Sequence, residues 1–200
     1  MILYHEACRT LTLHTRRTTY QMKADAFNVL LHTYYGPRVG DGDLSCLVQY
    51  FDRGFSPNPR EAGIDRRYSL DTLPQEYSTC GVGDFRVSAA EAEQPDGSLL
   101  LDFRYVGHEI RPGKYPLEGL PSFTGGEGWE TLSVRLQDPC SGVEAELLYG
   151  VCEEHDLITR AVILTNRGQA PVRLLRAMSL CLDMNGNLNR TGLDFITFHG

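Results

Sequence analysis

Residues 132–149 read LSVRLQDPCSGVEAELLY, and this stretch decides the fold. In each half of it an apolar residue occupies every second position, with polar residues between. This period of two indicates strands that have one buried and one solvated face. The residues that separate the halves, DPCSG at 138–142, are rich in turn formers. Together the two halves therefore predict a β-hairpin.

The same alternation recurs along most of the chain. It predicts further strands at Leu11–Leu13, Tyr20–Met22, Val29–Tyr35, Leu99–Tyr105, Ile158–Thr165 and Val172–Met184. The last of these changes phase near Leu175, which indicates a β-bulge. The best helix candidate, Ala89–Glu93, is too short for an ordinary amphipathic helix. Many short strands with Gly- and Pro-rich turns predict an all-β fold, an antiparallel sandwich or barrel with no substantial helix.

The composition limits the partners that the protein can bind. Its formal net charge is −7 and its pI is near 5.3. Nucleic acids and anionic membranes both require a basic surface, so neither is expected as a partner. A neutral polar ligand such as a sugar is compatible with this charge.

The cysteines and the N-terminus predict the cellular compartment. The beginning of the chain, Met1–Glu6, lacks the basic and apolar segments of a signal peptide, and no apolar run approaches the ~20 residues that span a bilayer. The six cysteines are irregularly spaced and form no C-x-x-C pair. We therefore expect free thiols and a cytoplasmic location.

The sequence predicts neither a metal site nor a cofactor. The six histidines are scattered, without the spacing of metal ligands. Gly81 and Gly83 resemble the start of a dinucleotide fingerprint, but Arg86 stands at its third glycine position and the strand-then-helix context is missing. These two glycines are better interpreted as loop residues that need positive φ.

Residues 52–86 are dense in charge, glycine, proline and aromatics, and they show no hydrophobic period. Such a segment predicts a long, specified loop rather than a core strand or helix, and loops of this kind are usually functional. Two of its carboxylates could in principle serve as the catalytic pair of a glycosidase. For Asp71, Glu76 and Asp84, however, turn capping or pairing with Arg66, Arg67 or Arg86 is the preferred interpretation.

Asp52 and Arg66 are the candidate binding residues of this loop. A carboxylate accepts hydrogen bonds and a guanidinium donates them, so together they can bind neighbouring hydroxyl groups. The alternative is that Arg66 only holds the loop, by pairing with Asp65 or Asp71. Trp129, the only tryptophan, is open to two similar interpretations: it can stack on a sugar ring, or it can anchor a loop as a partly buried side chain.

An ordered series of segments resembles the N-terminal domain of glycoside hydrolase family 36 α-galactosidases. The resemblance covers nearly the whole chain. It rests on SLDTLPQEY at 69–77, GVGDFR at 81–86, LDFRY at 101–105, Gly113-Lys114, LEGLP at 117–121, Glu130–Leu132 and Leu157–Arg160.

The resemblance implies a large antiparallel β-sandwich, a supersandwich, in front of a catalytic (β/α)₈ barrel. Such a barrel needs ~250 residues. We therefore expect residues 1–200 to be a single N-terminal domain of a longer enzyme. The sequence stops partway through a candidate strand at 195–200, which favours the same interpretation. Family members are retaining enzymes that remove terminal α-galactosyl units from raffinose and melibiose. Their catalytic aspartates lie on the barrel, so no catalytic residue is expected in this chain and the isolated chain should be inactive.

The resemblance also implies roles for Asp52 and Arg66. The family's ligand-facing Asp and Arg in this domain fall on these two positions. In tetrameric members the domain helps to wall the active-site entrance, so a homo-oligomer, the barrel and an α-galactoside are the expected partners. The alternative is a free-standing carbohydrate-binding or structural module without chemistry.

Overall fold

A computed structural model of the chain describes residues 1–52, 54, 58–122 and 126–183. In these ranges the protein is built of β-strands, and the helical elements are single 3₁₀ turns. The strands are β1 Ile2–His5, β2 Thr10–His14, β3 Thr18–Ala24, β4 Leu30–Pro37, β5 Ala90–Glu93, β6 Arg104–Pro112, β7 Trp129–Gln137, β8 Val143–Cys152, β9 Leu157–Asn166 and β10 Arg173–Ala177. The prediction of an all-β fold with no substantial helix is confirmed.

The strands form two four-stranded antiparallel meanders and one small pair. β1 to β4 lie side by side in chain order, and β6 to β9 do the same. The predicted hairpin is β7 and β8, in which Leu136 lies opposite Ala145 and the turn occupies the expected residues. β5 pairs with β10.

The two meanders pack face to face and form an antiparallel sandwich. The inward side chains of both sheets belong to one buried cluster, which includes Leu11, Leu13, Tyr20, Met22, Leu132, Val134, Leu136, Leu147 and Tyr149. Each fully buried leucine of this cluster contributes about 1.5–3 kcal/mol relative to an exposed one. The alternation that predicts the strands therefore also identifies the face that closes the core.

The outer face of the first sheet is buried although it is polar. Thr10, Thr12, His14, Thr19 and Gln21 are all fully buried. Residues 38–48 cover this face and bond to it: the Gln21 side chain donates to the carbonyl of Gly42 at 2.9 Å and accepts from the amide of Leu44 at 2.9 Å. Hydrogen bonding thus compensates for the loss of water here.

The loop at 52–86 departs from the prediction in one respect. Its described residues contain turns and a 3₁₀ turn, and none of them lies in a strand, as expected. It nevertheless builds a second apolar cluster, in which Tyr68, Leu70 and Leu73 pack against Val29 and Leu31. The absence of a hydrophobic period therefore did not exclude a packed core, because turns can bring apolar side chains together without any period.

Two strand predictions and the helix candidate need correction. The strand expected at Leu99–Tyr105 begins only at Arg104 and runs to Pro112, and the helix candidate at Ala89–Glu93 is instead a strand over Ala90–Glu93. The strand expected over Val172–Met184 is shorter, and position 184 lies outside the described residues, as does the candidate strand at 195–200. The bulge at Leu175 is confirmed by a register shift between Leu174 and Arg176.

Candidate functional site

Asp52 and Arg66, predicted from the sequence to act together, are neighbours in the structure. Arg66 Nη2 lies 3.5 Å from Asp52 Oδ1. The side chains are exposed by 49% and 60%, so both charges reach solvent. Asp65 is paired with Arg67 instead of Arg66: Arg67 Nε donates to Asp65 Oδ1 at 3.1 Å. The ion pair of Arg66 therefore reaches across the loop to Asp52, whereas Asp65 pairs with its near neighbour.

Gly54 joins the two candidate residues. Its amide donates to Asp52 Oδ1 at 2.7 Å, and its carbonyl accepts from Arg66 Nη2 at 2.6 Å. Its φ is +79°, a conformation that favours glycine. The loop thus holds a carboxylate and a guanidinium side by side, facing water, in a chemical arrangement that can bind a pair of hydroxyl groups.

A groove of about 690 Å³ lies beside this loop, along β4. Its walls include Tyr34, Tyr35 and Phe51, and an ion pair between Arg86 Nη1 and Asp183 Oδ2, 2.7 Å long, lies on its lining. The volume is in the range of small-molecule sites, about 300–1,000 Å³. Phe51 precedes Asp52 in the chain, but neither Asp52 nor Arg66 lines the groove.

Glu76 has different partners from those predicted. It is fully buried between the two sheets. Its Oε1 accepts hydrogen bonds from Tyr20 at 2.7 Å, from Tyr149 at 2.6 Å and from Arg160 Nη1 at 2.6 Å. His32 Nδ1 lies 3.4 Å from Oε2, without hydrogen-bond geometry. The prediction that Glu76 pairs with Arg66, Arg67 or Arg86, or caps a turn, is therefore wrong, because its ion partner comes from β9.

This environment keeps Glu76 ionised. Burial alone raises the pKa of its carboxyl, but the contact with His32 and the charge of Arg160 outweigh burial and lower the pKa to about 2. Burial raises the pKa of the Tyr20 and Tyr149 hydroxyls, so both remain protonated donors. A carboxylate enclosed in this way joins the two sheets and has no access to a ligand.

Arg160 is a structural part of the core that the sequence analysis missed. Its side chain is only 9% exposed, and its guanidinium carbon lies 4.1 Å from the centre of the Tyr149 ring. The sequence carried a signal for it: Arg160 stands in phase with Ile158 and Val162, on the face of the strand that turns inward. A charge at an apolar phase indicates a buried partner of opposite sign.

The other candidates have structural roles. Asp84 is buried and its Oδ2 lies 2.8 Å from Arg86 Nη2, as expected. Trp129 is buried, with 8% exposed, and begins β7, so it is an anchor at the start of a strand rather than a partly buried side chain of a loop. Gly81 and Gly83 have φ of +99° and +102°. Asp71 accepts a hydrogen bond from Ser69 within a turn.

Three further features of the described residues concern metal binding, membrane crossing and the cysteines. Across residues 1–52, 54, 58–122 and 126–183, no three His, Cys, Asp or Glu side chains are grouped in a way that could hold a metal ion. In the same ranges no helix is long and apolar enough to cross a bilayer. All six cysteines are free thiols.

Comparison with known proteins identifies the family. Residues 28–200 match the "Glycosyl hydrolase family 36 N-terminal domain". The bifunctional alpha-galactosidase/sucrose kinase AgaSK of Mediterraneibacter gnavus is 44% identical over 183 residues, which are 91% of this chain and 20% of that protein. Alpha-galactosidase AgaA of Geobacillus stearothermophilus is 36% identical over 184 residues, 91% of this chain and 25% of that protein.

Solved structures give the same result for the fold. The galactosidase domain of AgaSK superimposes with a TM-score of 0.88 at 44% identity, over 91% of this chain and 25% of that one. An AgaA variant in complex with raffinose gives a TM-score of 0.81 at 37% identity, over 86% of this chain and 24% of that one. This chain thus spans a quarter or less of the length of these relatives. By sequence and by fold, the chain belongs to glycosyl hydrolase family 36, as its N-terminal domain.

Proposed function

We propose that the intact protein is an α-galactosidase, in which this domain supplies Asp52 and Arg66 to recognise the substrate. The observation that carries the proposal is their ion pair on the exposed loop, with Nη2 3.5 Å from Oδ1. The names of the relatives support the activity, and structures of AgaA variants with raffinose and with stachyose support the substrate class.

The chemistry of the pair suits a sugar. An α-galactoside is uncharged and carries neighbouring hydroxyls, each of which can donate one hydrogen bond and accept others. Asp52 can accept from one hydroxyl while Arg66 donates to the next. A net charge of −7 does not oppose a neutral ligand.

Residues 1–200 act in this proposal as one N-terminal sandwich domain of a longer enzyme. Hydrolysis with retention of configuration needs two carboxyl groups about 5–5.5 Å apart on either side of the glycosidic bond. The buried Glu76 and Asp84 of this chain are already occupied by other protein groups. As the family resemblance implies, the acid/base and the nucleophile lie on a catalytic barrel, so the isolated chain should not hydrolyse an aryl α-galactoside.

The domain also shapes the entrance of the active site and contributes to oligomer contacts, in a cytoplasmic homotetramer. The exposed loop supports this role, because an outward ion pair can reach the pocket of its own or a neighbouring subunit. The free thiols of the six cysteines support a reducing compartment. Light scattering of the intact enzyme tests the tetramer, and a monomer with full activity would contradict it.

Kinetics of the intact enzyme test the binding role. Loss of a hydrogen bond that involves a charged group costs about 1.5–3 kcal/mol, so Asp52→Ala and Arg66→Ala should each lower kcat/KM by about 10-fold or more. Arg67→Ala is the matched control, because Arg67 is an exposed arginine of the same loop that pairs with Asp65. If the two variants have the kinetics of the control and only melt at lower temperature, the pair merely holds the loop.

A further inference from the structure

Gly54 makes both hydrogen bonds that connect the candidate binding residues through the backbone. Its amide donates to the Asp52 carboxylate and its carbonyl accepts from the Arg66 guanidinium, at 2.7 Å and 2.6 Å. The amide and carbonyl groups of one residue point in directions that its φ and ψ fix. The relative placement of the two charged side chains therefore depends on the conformation of this residue.

That conformation is one that other residues rarely adopt. Gly54 has φ of +79°. Among the residues that the structure describes, a Cβ added here would meet Arg66 Nη2 alone, at 3.8 Å, which is an ordinary van der Waals contact. The described neighbours thus leave room for a side chain, and it is the backbone conformation that favours glycine.

We infer that Gly54 is a positioning residue, which sets the geometry of the Asp52–Arg66 pair for the substrate. The inference rests on the proposed binding role of that pair. Gly54 touches no ligand itself. Its turn holds the acceptor and the donor at a fixed separation, so that two adjacent hydroxyls meet both groups without rearrangement of the loop.

Gly54→Ala in the intact enzyme tests this role, with Gly119→Ala as the matched control. Gly119 also has positive φ, +72°, and an added Cβ there would meet no atom of the described residues within 4 Å. Both substitutions impose a similar backbone strain, but only Gly54 contacts the pair. We expect Gly54→Ala to lower kcat/KM by about 5-fold, chiefly through KM, because a uniform binding interaction is weakened. Gly119→Ala should retain normal kinetics.

A series at position 54 and a double-mutant cycle separate positioning from general stability. Asn tolerates positive φ better than Ala, and β-branched Val tolerates it least. The loss of kcat/KM should therefore increase in the order Gly54→Asn, Gly54→Ala, Gly54→Val. In an Arg66→Ala background Gly54→Ala should cause a smaller further loss than in the wild type, since one of the two groups that it positions is gone.

Each outcome decides between the proposals. If Asp52→Ala and Arg66→Ala lower kcat/KM but Gly54→Ala behaves like Gly119→Ala, positioning by Gly54 is refuted and the binding role stands. An equal loss with and without Arg66 also refutes it. If neither Asp52→Ala nor Arg66→Ala has an effect, both proposals are refuted together. If Gly54→Ala does not fold, Gly54→Asn replaces it in the cycle with the same outcomes.

Discussion

Asp52–Arg66 and Glu76–Arg160 are both carboxylate–guanidinium pairs, and both carboxylates lie in the stretch 52–86. Their environments are opposite. The side chains of Glu76 and Arg160 are 0% and 9% exposed, whereas those of Asp52 and Arg66 are 49% and 60% exposed. Glu76 joins two sheets through Tyr20, Tyr149 and Arg160, whereas the Asp52 pair stays within one loop.

The difference shows which pair stabilises the domain and which is available for a ligand. A buried charge that loses its partner remains in a medium of low dielectric, so each member of the Glu76 group depends on the others. An exposed pair is screened by water and contributes little to stability, so its residues can be selected for recognition. Substitutions in the buried pair should therefore lower stability, whereas substitutions in the exposed pair should lower activity.

The largest effect is expected from Glu76→Gln. The substitution leaves the buried guanidinium of Arg160 without its counter-charge, which should lower the free energy of unfolding by about 3–5 kcal/mol. For a chain of this size that corresponds to a fall in Tm of about 10 °C. Urea denaturation of this chain measures it, and Glu118→Gln, at an exposed position, is the control. A loss as small as that of the control would show that the buried pair contributes little.

The pH dependence of stability should also distinguish the two regions. The pKa of Glu76 in the folded protein is lowered to about 2 from its ordinary 4.5, so its contribution is complete above pH 4.5 and is lost as the pH falls towards 2. One unit of pKa shift corresponds to about 1.4 kcal/mol, which gives a total of about 3 kcal/mol. Denaturation curves of the wild type and Glu76→Gln from pH 7 to about 2 should converge in this window. A constant difference across it would contradict the lowered pKa.

The smallest effect on stability is expected at the exposed pair. Asp52→Ala and Arg66→Ala should each change the free energy of unfolding by about 0.5 kcal/mol or less, because surface ion pairs contribute little. The same denaturation experiment measures this, with Arg67→Ala for comparison. A loss of more than about 2 kcal/mol from either variant would assign the pair to the scaffold, and would weaken its role as a binding site.

The strands of the sandwich were predictable from sequence where side chains alternate cleanly. β7, β8 and β9 carry apolar residues at every second position over most of their length, and their predicted places are confirmed. β6 was misplaced because it is an edge strand with a mostly solvated face, and Val106-Gly107-His108-Glu109 shows no apolar period. β5 reads AEAE, two good helix formers, yet pairing with β10 overrides that preference.

The candidate site was predictable only in part, for a related reason. The association of Asp52 with Arg66 depends on residues 14 positions apart in one loop, where composition and family resemblance point to both. The ion partner of Glu76 lies 84 residues away, on β9 of the second sheet. Its local sequence therefore could not reveal that partner, and only the inward phase of Arg160 indicated a buried charge.

The order of the strands has a consequence for how the chain folds. Each four-stranded sheet consists of chain neighbours, joined by short turns except between β6 and β7, which residues 113–128 connect. Most contacts within a sheet therefore close small loops at low entropic cost. Proteins rich in such local contacts fold quickly, whereas contacts between distant segments form slowly. Glu76 lies between the two meanders, and its partners Tyr149 and Arg160 follow it by 73 and 84 residues. We therefore expect the two sheets to form separately, and the Glu76 cluster to assemble in the last step, when the faces meet.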